Sequence, residues 1–210
     1  MTTPPILTTH PLIDEILDGH ADRARGDEGG FAGYRGHVYR VFNLARGVVD
    51  DADDRDDKLA IAAAFHDIEA FAGLDYLAPS IDAQDAWLER TGRSEWSEEL
   101  AVVVAQHHRF GTYRGRHARL AEPLRRADLA DLSQGLIRSG IPKDQVRAVR
   151  GAFDVGCSSP APSQEQPCAT SSATRWTRCR TPALAARSSG RATTAPTAEA
   201  ASGIRQGRSG

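Results

Sequence analysis

The chain has 210 residues, of which 40% are hydrophobic and 26% charged, and a formal net charge of −2. This length suffices for one domain with a buried core, and the acidic balance of residues 1–153, which sum to −6, argues against nucleic acid as a partner. No apolar run approaches the roughly 20 residues that cross a bilayer, and the N-terminus lacks a signal-peptide pattern, so we expect a cytoplasmic protein with no membrane partner.

Two helices are predicted within the first 50 residues. An apolar stripe that begins after Pro11 predicts a helix to about residue 25. Residues 34–49 repeat the helical spacing, with His37, Val41 and Leu44 three or four positions apart. His37 is therefore predicted to face the core.

The acidic run at residues 50–57 lacks the Gly and Glu that an EF-hand loop requires, so it is interpreted as a solvated turn and helix start. The stretch Leu59–Glu69, LAIAAAFHDIE, then predicts a third helix whose last turn carries His66 and Asp67. Burying a carboxylate is costly without a partner, and a divalent cation can satisfy a histidine and an aspartate together. The alternative is an ordinary core histidine beside an exposed aspartate.

Further helices are predicted in the second half of the body. One begins at Ser80 as its N-cap, and the next begins at Ser97 and turns one of His107 and His108 inward. Another starts at Pro123 and ends at Gly140, and residues 141–153 form a short last helix. On the Pro123 helix, Asp128 interrupts an apolar stripe. No segment shows the alternation of strands, so the body, residues 1–153, is predicted to be all-α.

Residues 154–210 differ sharply from the body. Ala, Ser, Thr, Arg, Pro and Gly make up 44 of these 57 residues, too little apolar surface to offset the entropy of ordering. We predict a low-complexity, disordered tail and also consider that it is read in a shifted frame. Its three cysteines lack CxxC spacing, which argues against a zinc knuckle.

His37, His66, Asp67 and Asp128 form a mixed nitrogen and oxygen set suited to a divalent cation. The order and spread of these residues resemble the HD-domain metal-dependent hydrolases, and the resemblance covers roughly residues 30–135. It implies a compact HD-domain helical bundle in which the four residues bind one divalent metal ion. Mn, Ni, Co, Fe, Mg and Zn are not distinguished by the sequence.

The resemblance implies roles for Asp67 and for the paired histidines, and the arginines near them are candidates because a guanidinium suits bidentate contact with phosphate. Asp67 and His107 are the implied catalytic residues, and His108, Arg109 and Arg40 are candidates for binding the substrate. Arg114 is a further candidate for a phosphate ligand, and Asp131, one turn after Asp128, for orienting a ligand. Glu69 could serve as a base, although a solvated position at the helix end is the favoured interpretation.

The expected function is a phosphomonoesterase or phosphodiesterase that hydrolyses a nucleotide-like or small phosphoester with a metal-activated water. Two alternatives remain. One branch of the family resembles cyanamide hydratases, for which a tight apolar pocket lined by Phe65, Phe71 and Tyr76 would be expected. The other is an inactive, truncated or frameshifted product.

Overall fold

The computed structural model describes residues 4–24, 28–50, 52 and 54–153, and within these ranges the chain is helical and has no strand. The predicted all-α class is confirmed. The helices are α1 (Pro11–Gly19), α2 (Glu28–Arg46), α3 (Arg55–Phe65), α4 (Leu77–Arg90), α5 (Ser97–Gln106), α6 (Ala118–Leu132) and α7 (Lys143–Phe153), with short 3-10 turns at Ala21–Ala24 and Ser94–Trp96.

Helix α3 lies at the centre of the fold and contacts α1, α2, α4, α5 and α6. Every residue from Leu59 to Phe65 is fully buried, so this helix is enclosed on all sides. Its alanines allow the neighbouring helices to approach closely, because a small side chain keeps the distance between helix axes short. The end of α3 is thereby fixed deep inside the molecule.

Helices α6 and α7 both pack against α2. Val146 and Val149 of α7 enter the core, and the Gln145 amide donates to the carbonyls of Asn43 and Leu44 at 3.2 and 3.3 Å. A Cβ atom at Gly47 would overlap that amide, so a larger residue there would displace the Gln145 side chain from its two carbonyls.

Several predicted helix boundaries are wrong. Helix α1 ends at Gly19 instead of residue 25, and the His20 ring bonds the Ile16 carbonyl at 2.7 Å. Helix α2 begins at Glu28, before the predicted residue 34, because buried Phe31 and Tyr34 hold this glycine-rich turn against the core. Helix α3 ends at Phe65, so His66 and Asp67 follow the helix and do not form its last turn.

Two predicted helix starts are also wrong. Pro123 lies inside α6, which begins at Ala118. Proline has no N–H to donate to the carbonyl four residues earlier, and that carbonyl belongs to Arg119, an exposed residue. Helix α6 ends at Leu132, well before Gly140, because Gln134 and Gly135 adopt left-handed backbone conformations with φ of 56° and 82°. Ser80 is an internal residue of α4, where its hydroxyl accepts the Glu69 N–H at 3.3 Å.

The acidic run leads into a helix start, as predicted, with Asp54 at the N-cap position of α3. The predicted tail, residues 154–210, and its frameshift hypothesis lie outside the described residues. In the part of the chain that the structure describes, none of the helices combines the length and apolar character needed to cross a bilayer.

Candidate metal centre

The candidate site lies where the ends of two helices meet the sides of two others. His66 is the C-cap residue of α3, and His107 is the C-cap residue of α5. His37 projects from the middle of α2 and Asp128 from α6, and all four side chains are buried. The carbonyl end of a helix favours positive charge, so this arrangement suits a cation.

Three of the predicted ligands, His37, His66 and Asp128, form one close group. His37 Nε2 lies 3.0 Å from His66 Nε2 and 3.4 Å from Asp128 Oδ1, and His66 Nε2 lies 3.8 Å from the same oxygen. Ligands about 2.0–2.2 Å from one ion, at angles of about 90–110°, stand about 2.8–3.6 Å apart. Two of the three separations fall in this interval and the third is slightly longer, so these residues could hold a metal ion.

At the site, the Nδ1 atom of each of His37, His66 and His107 is held by an oxygen. His66 Nδ1 lies 2.7 Å from the Ala63 carbonyl, and His107 Nδ1 lies 2.5 Å from the Val104 carbonyl. His37 Nδ1 lies 2.7 Å from Asp131 Oδ2. A carbonyl oxygen only accepts, so Nδ1 carries a proton in both His66 and His107, and the Nε2 atom of each faces the site.

The contact between His37 Nε2 and His66 Nε2 needs a proton or a cation, because two facing lone pairs repel. Burial opposes the charge on His37, but hydrogen bonds to Asp128 and Asp131 outweigh it and raise its pKa to about 9. Burial lowers the pKa of His66 to about 4. His37 therefore donates to neutral His66, and a metal ion would compete for the position of that proton.

A second group adjoins the first. Asp67 Oδ1 lies 3.0 Å from His107 Nε2 and 3.6 Å from His108 Nε2, while its Oδ2 lies 3.7 Å from His66 Nε2. Burial raises the pKa of Asp67, but the surrounding histidines outweigh it and hold that pKa well below its usual range. Asp67, His107 and His108 could hold a metal ion themselves, and Asp67 presents one oxygen to each group.

Two tyrosines lie at the site: sequence reasoning missed Tyr34 and named Tyr76 only as a lining residue of a nitrile pocket. The Tyr34 hydroxyl donates to the Ala64 carbonyl at 2.7 Å, and its ring lies 6.1 Å from that of His66. Tyr34 precedes His37 by three positions, a spacing that already places both on one helix face. The Tyr76 hydroxyl lies 2.8 Å from His108 Nε2, a contact that no spacing indicates.

The predicted substrate residues are dispersed around the site. His108 is the most accessible of the histidines described above, with 36% of its side chain exposed, and Arg109 and Arg114 are exposed beyond it. Arg40 Nε donates to Asp131 Oδ1 at 2.7 Å. Glu69 is only 6% exposed, so its interpretation as a solvated residue is wrong.

The three aromatic residues expected to line a nitrile pocket pack against different neighbouring side chains. Phe71 packs on Phe31 and Tyr34, with ring centroids 5.8 and 6.0 Å apart. Phe65 packs on His20 and Trp87, and Tyr76 packs on His108. Phe71 is thus placed beside the tyrosine that adjoins His37 and His66.

Comparisons with known protein families, curated proteins and solved structures found no match to this chain. A functional proposal for this chain therefore rests on the all-α fold and on the two groups of histidine and aspartate side chains. The resemblance to HD-domain hydrolases stays a prediction.

Proposed function

We propose that this protein is a metal-dependent hydrolase of the HD superfamily that acts on a nucleotide-like or small phosphoester. The observation that carries the proposal is the convergence of His37, His66 and Asp128 from three helices, with the histidine Nε2 atoms 3.0 Å apart. Buried carboxylates and imidazoles are costly to collect without a cation to satisfy them. A cytoplasmic location is part of the same proposal.

A divalent cation bound there would polarise a phosphoryl oxygen and lower the pKa of a water molecule. The chain's own residues would position the reactants. Asp67, ionised and buried, would hold the attacking water through a hydrogen bond and so orient it. His107 contacts Asp67 at 3.0 Å and would orient it.

Substrate would approach from the side of His108. Its ring is partly exposed, whereas the side chains of His37, His66 and His107 are 11%, 0% and 0% exposed. Arg109 follows it directly in the chain and is exposed, which makes its guanidinium a candidate ligand for a phosphate. This arrangement supports His108 and Arg109 as substrate-binding residues.

The test is metal analysis of the purified full chain together with a phosphoester screen. We expect a bound divalent metal and metal-dependent phosphate release from an aryl phosphate or a nucleoside monophosphate, lost in Asp67→Ala. Asp85→Ala, a change of the same kind on α4, is the control and should retain turnover. A panel of Mn, Ni, Co and Mg without any turnover would refute the phosphohydrolase proposal.

Hydration of a small nitrile is the second candidate. The cluster of Phe31, Tyr34 and Phe71 lies against His37, with 6.4 Å between the Tyr34 and His37 ring centroids, and gives that side of the site an apolar wall. Such a wall favours a small uncharged substrate over a phosphate. Cyanamide therefore belongs in the same screen, and turnover of cyanamide alone would select this reaction.

A further inference from the structure

Asp131 is a buried carboxylate that touches the candidate ligand His37 from the side away from the metal position. Asp131 is 5% exposed, and its Oδ2 lies 2.7 Å from His37 Nδ1. Its other oxygen, Oδ1, accepts from Arg40 Nε at 2.7 Å and lies 3.6 Å from Arg150 Nη1. Both carboxylate oxygens of Asp131 thus accept hydrogen bonds, and the partner of Oδ2 is His37.

We propose that Asp131 is the positioning residue of the metal centre, which fixes the ring and the tautomer of His37 so that Nε2 faces the ion. This inference rests on the proposed function, because it requires that the His37 group binds metal. A carboxylate that accepts the Nδ1–H of a ligand histidine orients the ring and makes Nε2 a stronger donor to the metal. Asp131 meets His37 in that geometry.

His37 differs from His66 and His107 in the partner of its Nδ1 atom. His66 and His107 each bond a backbone carbonyl three residues earlier, within their own helix. His37 has an ionised acceptor that comes from another helix, α6. Because α6 also supplies Asp128, one helix provides both a ligand and the support for a second ligand.

Two arginines keep Asp131 in place. Arg40 comes from α2, one turn after His37, and Arg150 comes from α7. Together they compensate the charge of a carboxylate that would otherwise be costly to bury. Arg40 is thereby assigned to the support of His37, which differs from its predicted role as a phosphate ligand.

The test measures metal affinity, which does not depend on turnover. The full chain, Asp131→Asn and Asp131→Ala are titrated with Co²⁺ against a chromogenic chelator, and the Co²⁺ absorption bands are recorded. We expect about 10–100-fold weaker binding, the range typical of lost outer-shell partners, with the larger loss in Asp131→Ala. The bands should also shift, since the orientation of His37 changes.

Glu122→Gln is the matched control. Glu122 is also on α6 and pairs with a buried arginine, Arg125, at 2.7 Å. It should lose stability to a similar degree but keep wild-type affinity and bands. If the Asp131 variants do not fold, Arg150→Gln loosens the same carboxylate and should weaken Co²⁺ binding by a smaller factor.

The outcomes separate the two proposals. Unchanged affinity and bands in the folded Asp131 variants would overturn the positioning role while the metal site stands. A wild-type chain that binds no metal would overturn both. Metal binding without phosphoester turnover would overturn only the proposed reaction.

Discussion

The Nδ1 protons of His37, His66 and His107 are held by the oxygens that these atoms meet. The Ala63 and Val104 carbonyls hold the Nδ1 protons of His66 and His107, and Asp131 accepts that of His37. Asp128 adds negative charge beside His37 Nε2, at 3.4 Å. The same environment that keeps a proton on His37 would favour a divalent cation.

Replacing Asp128 by Asn keeps its shape and removes its charge. Because Asp128 is fully buried among the candidate ligands, we expect a loss of metal affinity greater than the roughly 10–100-fold typical of outer-shell changes. Competition titration with a chelator measures it. Asp144→Asn on α7, with a side chain 86% exposed, should bind like wild type, and equal affinities of both variants would contradict the assignment of Asp128.

His10 provides a test of pH dependence away from the site. Burial lowers its pKa, its ring packs edge-on against Phe42 at 5.1 Å, and no described residue bonds its Nδ1. The charged groups that influence it are Asp14, Arg46, Asp56 and Asp57. Because the pKa of His10 is lower in the folded state, the unfolded chain binds a proton on His10 at a higher pH than the folded chain does. The folded state therefore loses stability as the pH falls.

The stability contributed by neutral His10 should be fully present above about pH 6.5 and lost as the pH falls through the lowered folded value. His10→Asn removes this titration and suits the N-cap position that His10 occupies before α1. Urea unfolding at neutral pH and at about pH 5 should show a smaller pH effect in the variant. An identical pH effect in both proteins would be evidence against this.

At the level of residues, the sequence predicted that His37, His66 and Asp128 face inward, and all three are buried. Helical spacing placed His37 and Asp128 on inward faces, and the apolar run before His66 showed that this histidine is buried. Their partners were harder to find. The contacts of Asp131 with Arg150, and of Tyr76 with His108, join segments whose relative position depends on how whole helices pack.

The C-terminal ends of α3 and α5 carry the same arrangement of polar residues. His66 after α3 and His107 after α5 are both C-cap residues, each with its Nδ1 on the carbonyl three positions back. A second polar residue follows each, Asp67 and His108, and these two lie 3.6 Å apart. A helix end offers unpaired carbonyls and a change in chain direction, so consecutive side chains can both reach one site.

The enclosure of α3 predicts intolerance to larger side chains. Ala60→Val adds two methyl groups where no surface is exposed, and overpacking typically costs about 1–3 kcal/mol. Ala86→Val on the exposed side of α4 has the same loss of helix propensity, at most about 0.7 kcal/mol, without the crowding. Denaturant unfolding measures both, and equal losses would contradict a central position of α3.

The sequence predicted the existence of the helices better than their ends. The predicted segment for α7 agrees with Lys143–Phe153, whereas α6 begins five residues before Pro123. Helix ends depend on local bonds such as that of His20, and on core contacts that hold weak helix formers such as the glycines of α2. Neither is visible in apolar periodicity.

All candidate ligands lie between residues 37 and 128, and α7 completes the cover of α2. In addition to its core valines, α7 stacks Phe153 on Tyr39 with ring centroids 5.6 Å apart. Loss of this helix would expose that surface and remove Arg150 from Asp131. Helix α7 therefore links the stability of the whole domain to the candidate site.

A chain ending at Phe153 should melt cooperatively by circular dichroism, because the described core and both candidate groups lie before that residue. A chain ending at Ile141 should lose several kcal/mol, since burying each large apolar side chain contributes about 1.5–3 kcal/mol and domains have only about 5–15 in total. Non-cooperative melting of the first chain, or equal melting of both, would contradict an autonomous domain at residues 1–153 that depends on α7.

The sequence by itself determined the all-α class and the inward phase of the polar side chains, because helical periodicity is local and survives uncertainty about packing. Only the tertiary structure decided that His37, His66 and Asp128 meet within 3.8 Å, that Asp67 lies between two groups, and that Asp131 bonds His37. Those distances depend on how α2, α3, α5 and α6 cross, and the crossing is set by side chains far apart in the chain.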